Sequence, residues 1–114
     1  MAYKSLKEKP KMKTTPNLHG NPLPTIPPLR SQEDAADPIA YAKFFLHSFT
    51  WFACEFDGDN LFYGMVYSCH CPQGEYGYFS LEELEGLPLN LGMVERDKYF
   101  SPSPMSEIGN PCLV

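Results

Sequence analysis

From Asp37 onward, apolar residues crowd into short runs divided by turn-forming pairs. Ile39–Leu46 (IAYAKFFL) and Phe49–Phe56 (FTWFACEF) are dense in aromatic residues, which favour strands, and His47-Ser48 is the break between them. Asp57-Gly58 follows, a pair that tolerates the positive φ of a tight turn, so a hairpin into a third strand, Leu61–Ser68, is predicted. Gly64 inside that strand signals a bulge or the close approach of another backbone. Cys71–Gly77 reads as a second loop and Tyr76–Phe79 as a short fourth strand. Ser80-Leu81-Glu82-Glu83 then forms a capping box, in which serine and glutamate each satisfy a free amide of the other. It predicts a helix over Leu81–Glu85, with Gly86 as a left-handed stop and Pro88 forbidding continuation. Leu89–Val94 is a candidate fifth strand, and the chain from Ser101 reads as loop.

These elements predict an α+β fold, a small antiparallel meander of four to five strands with one short helix. The alternation is not clean. Ile39, Tyr41 and Phe45 share one parity of the first strand, and Ala40, Ala42, Phe44 and Leu46 the other. Both faces of the sheet are therefore apolar and each needs a cover. A domain this small buries only about 60% of its unfolded surface, so one short helix is not enough. The excess is either covered by the proline-rich segment before Asp37 or offered to a partner.

Charge is uneven and fixes the domain organisation. Residues 1–30 carry Lys4, Lys7, Lys9, Lys11, Lys13 and Arg30 against Glu8 alone, whereas residues 31–114 carry thirteen acids against Lys43, Arg96 and Lys98, a net of −10. The basic part also holds half of the prolines and one aromatic residue, Tyr3. Such a segment cannot bury enough apolar surface to offset its ordering entropy. The reading is a flexible basic arm over residues 1–24, a single domain over 25–108, and a frayed tail over 109–114. Lys7, Lys9, Lys11 and Lys13 alternate, and an extended chain would place them on one side, a weak non-specific anchor for nucleic acid. Pro22–Leu29 should run as polyproline II, packed across the aromatic sheet. No apolar run approaches the roughly 20 residues of a membrane helix, and Met1–Lys13 has no secretory pattern, so a cytoplasmic protein is expected.

Candidate chemistry is sparse. Cys69-His70-Cys71, with His47, Cys54 or Cys112, offers zinc-type ligands, but no second closely spaced pair exists and strand neighbours point apart, so no metal and no cofactor is assigned. Cys54 reads as a buried apolar residue. Glu55, Asp57 and Asp59 crowd the hairpin tip without the spacing of a calcium loop. No nucleophile sits beside a base and no glycine-rich phosphate loop is present, so no enzymatic activity is expected.

The segments Pro28-Leu29, Gln32-Glu33-Asp34, Asp37–Phe45, Phe49-Thr50-Trp51, Glu55–Gly58, Leu61–Val66, Gly77–Glu85 (GYFSLEELE) and Glu95–Phe100 (ERDKYF), with Pro102 and Ser106-Glu107, carry a resemblance. Over about residues 27–108 the chain resembles a family of small acidic proteins of unknown function encoded by bacterial plasmids, phages and integrative elements. The lysine-rich residues 1–20 and Cys69-His70-Cys71 depart from the pattern. The resemblance implies an accessory protein of a mobile genetic element in a bacterial cytoplasm, binding a host or element-encoded protein. A domain of net −10 suits competition for a nucleic-acid-binding cleft of a host defence factor, with carboxylates where phosphates would lie. Glu55, Asp57 and Asp59 on the hairpin and Glu82, Glu83 and Glu85 on the helix are the expected contacts. The alternative is direct nucleic-acid binding by the lysine arm with stacking on Trp51, Tyr63 and Tyr67.

Overall fold

In a computed structural model of the chain, which describes residues 16–87 and 92–113, the fold is an antiparallel β structure with one short helix, of the α+β class. Strands β1 (Asn17–Leu18) and β2 (Asn21–Pro22) make a small hairpin. After β3 (Ile39–Ala40), strands β4 (Ala42–Leu46), β5 (Phe49–Phe56), β6 (Leu61–Ser68) and β7 (Cys71–Ser80) run as a meander into helix α1 (Leu81–Glu85). Strand β8 (Glu95–Arg96) joins the free edge of β4, giving the five-stranded order β7-β6-β5-β4-β8. Strand β9 (Ser103–Pro104) pairs with β3, and single 3-10 turns follow at Met105–Glu107 and Pro111–Leu113.

Phe49–Phe56 and Leu61–Ser68 form strands at the predicted bounds. The expected strand Ile39–Leu46 is instead divided at Tyr41, Ile39–Ala40 pairing with Ser103–Pro104 and only Ala42–Leu46 joining the main sheet. The helix begins where its capping box dictates. Ser80 Oγ accepts the Glu83 amide at 2.9 Å, and the Ser80 amide donates to Glu83 Oε1 at 2.8 Å. The stop differs from expectation. Gly86 sits at φ −94°, not in the left-handed region, and its amide closes the last turn onto the Glu82 and Glu83 carbonyls. Gly64 meets its expectation of close approach: a β-carbon there would overlap the Phe52 carbonyl of the neighbouring strand.

Strand β7 corrects the sequence reading most. The expected loop over Cys71–Gly77 is strand, paired with β6 from Ser68↔Cys71 to Leu61↔Ser80. Its turn is only Cys69-His70, held by Ser68 Oγ, which accepts the His70 and Cys71 amides at 3.2 Å each. Pro72 and Gly74 are tolerated because β7 is an edge strand, with one side free of ladder bonds. The expected strand Leu89–Val94 falls partly outside the described residues; the pairing edge comes just after it, at Glu95–Arg96.

Both faces of the sheet are apolar, and each has a cover. On one face Phe44, Trp51, Phe56, Phe62 and Phe79 pack beneath Leu81 and Leu84 of α1, Leu18 of the hairpin, and Leu23 and Ile26. The proline-rich segment thus packs across the sheet as expected, and the Phe56 amide donates to the Pro27 carbonyl at 2.9 Å. The arm expected to be flexible through residue 24 is shortened, because Leu18 is only 2% exposed. Residues 1–15 of that arm, with Lys7, Lys9, Lys11 and Lys13, lie outside the described residues.

The other face holds Ala40, Phe52, Cys54 and Tyr67, closed by Met105, Phe100, Ile108 and Cys112 from the C-terminal segment. The expected frayed tail is therefore docked as far as Cys112. Asn110 Nδ2 donates to the Pro72 carbonyl at 2.9 Å, and Asn110 Oδ1 accepts the Cys112 amide at 2.8 Å. Among the described residues, no helix is long and apolar enough to cross a membrane.

Candidate binding groove

The register of β5 against β6 slips between Ala53 and Glu55, a β-bulge that adds one residue to β5. Strict alternation would send Glu55 to the face of Trp51 and Ala53. The bulge turns it instead to the face of Cys54 and Tyr63 and returns Phe56 to the side of Phe62. There Glu55 is 4% exposed, and its carboxylate holds the loop over Arg30–Pro38. Oε1 accepts the Arg30 amide at 2.7 Å and Oε2 the Gln32 amide at 2.8 Å. Gln32 extends the tether: Nε2 donates to the Ile39 and Cys54 carbonyls at 2.9 Å each, and Oε1 accepts the Ile39 amide at 2.7 Å. At its far end the loop is tied to the C-terminal segment, where Asp37 accepts the Ser106 hydroxyl at 2.7 Å and its amide at 3.0 Å.

Between this loop and the sheet lies a solvent-open groove of about 650 Å³. Its floor crosses three adjacent strands, with Cys54 and Glu55 from β5, Tyr63 from β6, and Tyr76 and Tyr78 from β7. The cross-strand register builds the aromatic wall. Tyr63 pairs directly with Tyr78, ring centroids 5.0 Å apart and edge to face, and stacks diagonally on Tyr76 at 6.0 Å with an interplanar angle of 10°. Arg30, Gln32, Glu33, Ala35, Ala36 and Pro38 make the opposite bank.

Arg30 Nε donates to Glu33 Oε1 at 2.7 Å, which raises the guanidinium pKa and lowers that of the carboxylate, so both stay charged. The Tyr76 phenol is held above its ordinary value, first by burial and then by the neighbouring acidic groups Cys54, Tyr67, Asp37 and Tyr63. Burial, followed by the charge of Glu55, pushes the Cys54 thiol up to about 12, so the one sulfur lining the groove is a neutral thiol at physiological pH. The groove thus offers phenol hydroxyls and a guanidinium as donors, three ring faces, and carboxylates already engaged.

The other residues expected to make contacts have separate positions. Asp57 Oδ1 accepts the amides of Asp59, Asn60 and Leu61 at 2.8, 2.8 and 3.0 Å, so it organises the hairpin turn. Asn60 joins that turn to the helix, its carbonyl accepting the Leu81 amide and its Oδ1 the Glu82 amide. Asp57, Asp59, Glu82 and Glu83 therefore gather at one end of the molecule, where Glu83 is engaged in the capping box and Asp59 and Glu82 are exposed. Glu85 lies further along the helix and accepts the His19 amide at 3.0 Å. Glu55 leaves this group, because the bulge buries it under the Arg30–Pro38 loop. Of the aromatics expected to stack on nucleic acid, Trp51 and Tyr67 are buried at 8% and 7% exposure, and only Tyr63 reaches the groove. Sequence reasoning missed Tyr76, Tyr78, Arg30 and Gln32 as site residues; the signal was the Tyr-x-Tyr spacing within the expected strand Tyr76–Phe79, which puts both rings on one face. Among the described residues, no group of three or more histidine, cysteine or acidic side chains could hold a metal ion.

Fold and groove together define a small α+β protein with a tyrosine-lined groove on one face of its sheet. The chain belongs to the DUF2958 family, proteins of unknown function, whose family model matches residues 25–108. No curated protein and no solved structure matches it.

Proposed function

We propose that this protein is a non-enzymatic interaction protein that docks a protein partner on the tyrosine-walled groove. The observation that carries the reading is the wall itself. Tyr76 and Tyr78 are 41% and 62% exposed, side by side, in a groove whose buried polar groups are engaged in holding its own bank. Tyrosine supplies large, rigid contact area with a polar tip, and it is enriched where proteins meet. The neutral Cys54 thiol and the tethered Glu55 supply neither a nucleophile nor a free base, which favours binding over catalysis.

The resemblance to plasmid, phage and integrative-element proteins supports a partner in a bacterial host, a host or element-encoded protein. An acidic domain, with Asp59 and Glu82 exposed at the hairpin end, fits a partner that itself handles nucleic acid, which the protein would inhibit by occupying its cationic cleft. Affinity capture of the tagged full chain from nuclease-treated bacterial lysate tests this, comparing wild type with the Tyr76→Ser/Tyr78→Ser double variant. The expected result is a stoichiometric protein retained by the wild type and lost by the variant. Recovery that needs intact nucleic acid, or that ignores the double substitution, overturns the reading.

A further inference from the structure

We infer that the groove takes an extended, proline-rich peptide segment bearing lysine or arginine; the inference rests on the groove being the docking surface. The first argument is position. The groove lies on the face of β5, β6 and β7, whereas ladder hydrogen bonds are made along a strand edge in the plane of the sheet. An occupant gets no backbone ladder here. It must carry a backbone that needs none, and polyproline II, with no internal hydrogen bonds and a solvated main chain, is that conformation.

The second argument is the surface. Tyr63, Tyr76 and Tyr78 present ring faces and edges in an uneven row, against which proline rings pack with little loss of chain entropy. Their hydroxyls, and the exposed Arg30 guanidinium, are donors that suit the unpaired carbonyls of such a chain.

The third argument is charge. Arg30 is the one cation among the lining residues, against the carboxylates of Glu33 and Glu55, and the same loop carries Asp34 and Asp37 as well. This surplus attracts a cationic side chain, which the tyrosine faces also receive, and repels a phosphate backbone.

The test uses the full-length, isotope-labelled protein titrated with a synthetic proline-rich peptide ending in arginine at both ends. Control titrations use the same peptide with arginine replaced by glutamate, the same peptide with proline replaced by alanine, and single-stranded oligothymidine. The expected result is amide shifts confined to Arg30–Pro38, the Glu55 end of β5, and the Tyr63 and Tyr76–Tyr78 rungs. Both altered peptides should bind at least several-fold more weakly. Tyr78→Ser should weaken binding about tenfold, as loss of an aromatic anchor does, and Tyr78→Phe, which keeps the ring, should weaken it less. Asp34→Lys, at an exposed loop position, should weaken the arginine peptide and not the glutamate one. Equal binding of either altered peptide, shifts elsewhere on the molecule, or preferential binding of oligothymidine in the groove would overturn the inference. If the lysate capture yields a Tyr76- and Tyr78-dependent partner and the peptide induces no shifts, the ligand chemistry is wrong and the docking surface stands. If neither occurs, both fall.

Discussion

Replacing Glu55 with glutamine removes one charge and one acceptor from beneath the Arg30–Pro38 loop. In the native protein both carboxylate oxygens accept loop amides, at 2.7 and 2.8 Å, in a site only 4% exposed. A glutamine keeps one acceptor and turns its amide group, a donor, toward the other N–H. One charge-assisted bond is lost at about 2 kcal/mol, and the survivor, now neutral, weakens by about 1 kcal/mol. The sum, about 3 kcal/mol, corresponds to a fall in Tm of roughly 12 °C for a domain of this size. Trp51, the single tryptophan, is 8% exposed on the far face of the sheet and reports global unfolding without touching the loop. Urea denaturation followed by its fluorescence should therefore show a lower midpoint with an unchanged slope. Asp59→Asn, at an exposed turn position, is the control and should stay within about 0.5 kcal/mol of wild type. A Glu55→Gln protein as stable as that control would refute the view that the bulge exists to anchor the groove's bank.

Gly64→Ala should destabilise by about 3 kcal/mol or more in the same assay, since the new methyl overlaps the Phe52 carbonyl and the strands must part. For Asp57, burial alone would raise the carboxyl pKa, but the amides of Asn60, Asp59 and Leu61 together hold it below the ordinary value. A depressed folded pKa stabilises above the unfolded value of about 3.9 and is lost as pH falls through the folded one, so Asp57→Asn should flatten the fall in urea midpoint below about pH 4. Cys69 is exposed while the Cys54 thiol is pushed up to about 12, so alkylation at pH 8 followed by mass spectrometry should label Cys69 and leave Cys54 intact until the protein is unfolded.

Elements that declare themselves locally were legible in the sequence. The aromatic runs of β5 and β6 and the Ser80–Glu83 box carry their own boundaries, because side-chain crowding and capping act within a few residues. Strand β7 was legible only at its end, Tyr76–Phe79; its first half was hidden because Pro72 and Gly74 punctuate it as they would a loop, and only pairing with β6 outweighs that local bias. The C-terminal cover was hidden for the same reason. Ser101-Pro102-Ser103-Pro104 has no strand pattern of its own, and Met105 looks isolated until it closes over Phe52. Glu55 was visible as an acid but misassigned to the hairpin tip. A bulge is a property of two strands and its tethered amides lie 23 and 25 residues away, so neither leaves a mark in the local pattern. The groove inherits that difficulty, since its tyrosines come together only through the β6–β7 register.

The clasp between the Asp37 carboxylate and Ser106 spans 69 residues, and the β3–β9 pairing beside it is nearly as long. During synthesis this places a constraint on timing. Helix α1 and the meander can assemble with Leu18 and the proline-rich segment once Glu85 has left the ribosome, and Val94 completes that face soon after. The face of Phe52 and Tyr67 has no cover until Phe100, Met105 and Ile108 emerge, so the core cannot close before the C-terminal segment is made. A stall or premature stop before Met105 would thus leave Phe52 and Tyr67 uncovered and is expected to yield an aggregation-prone species rather than a slightly shorter protein.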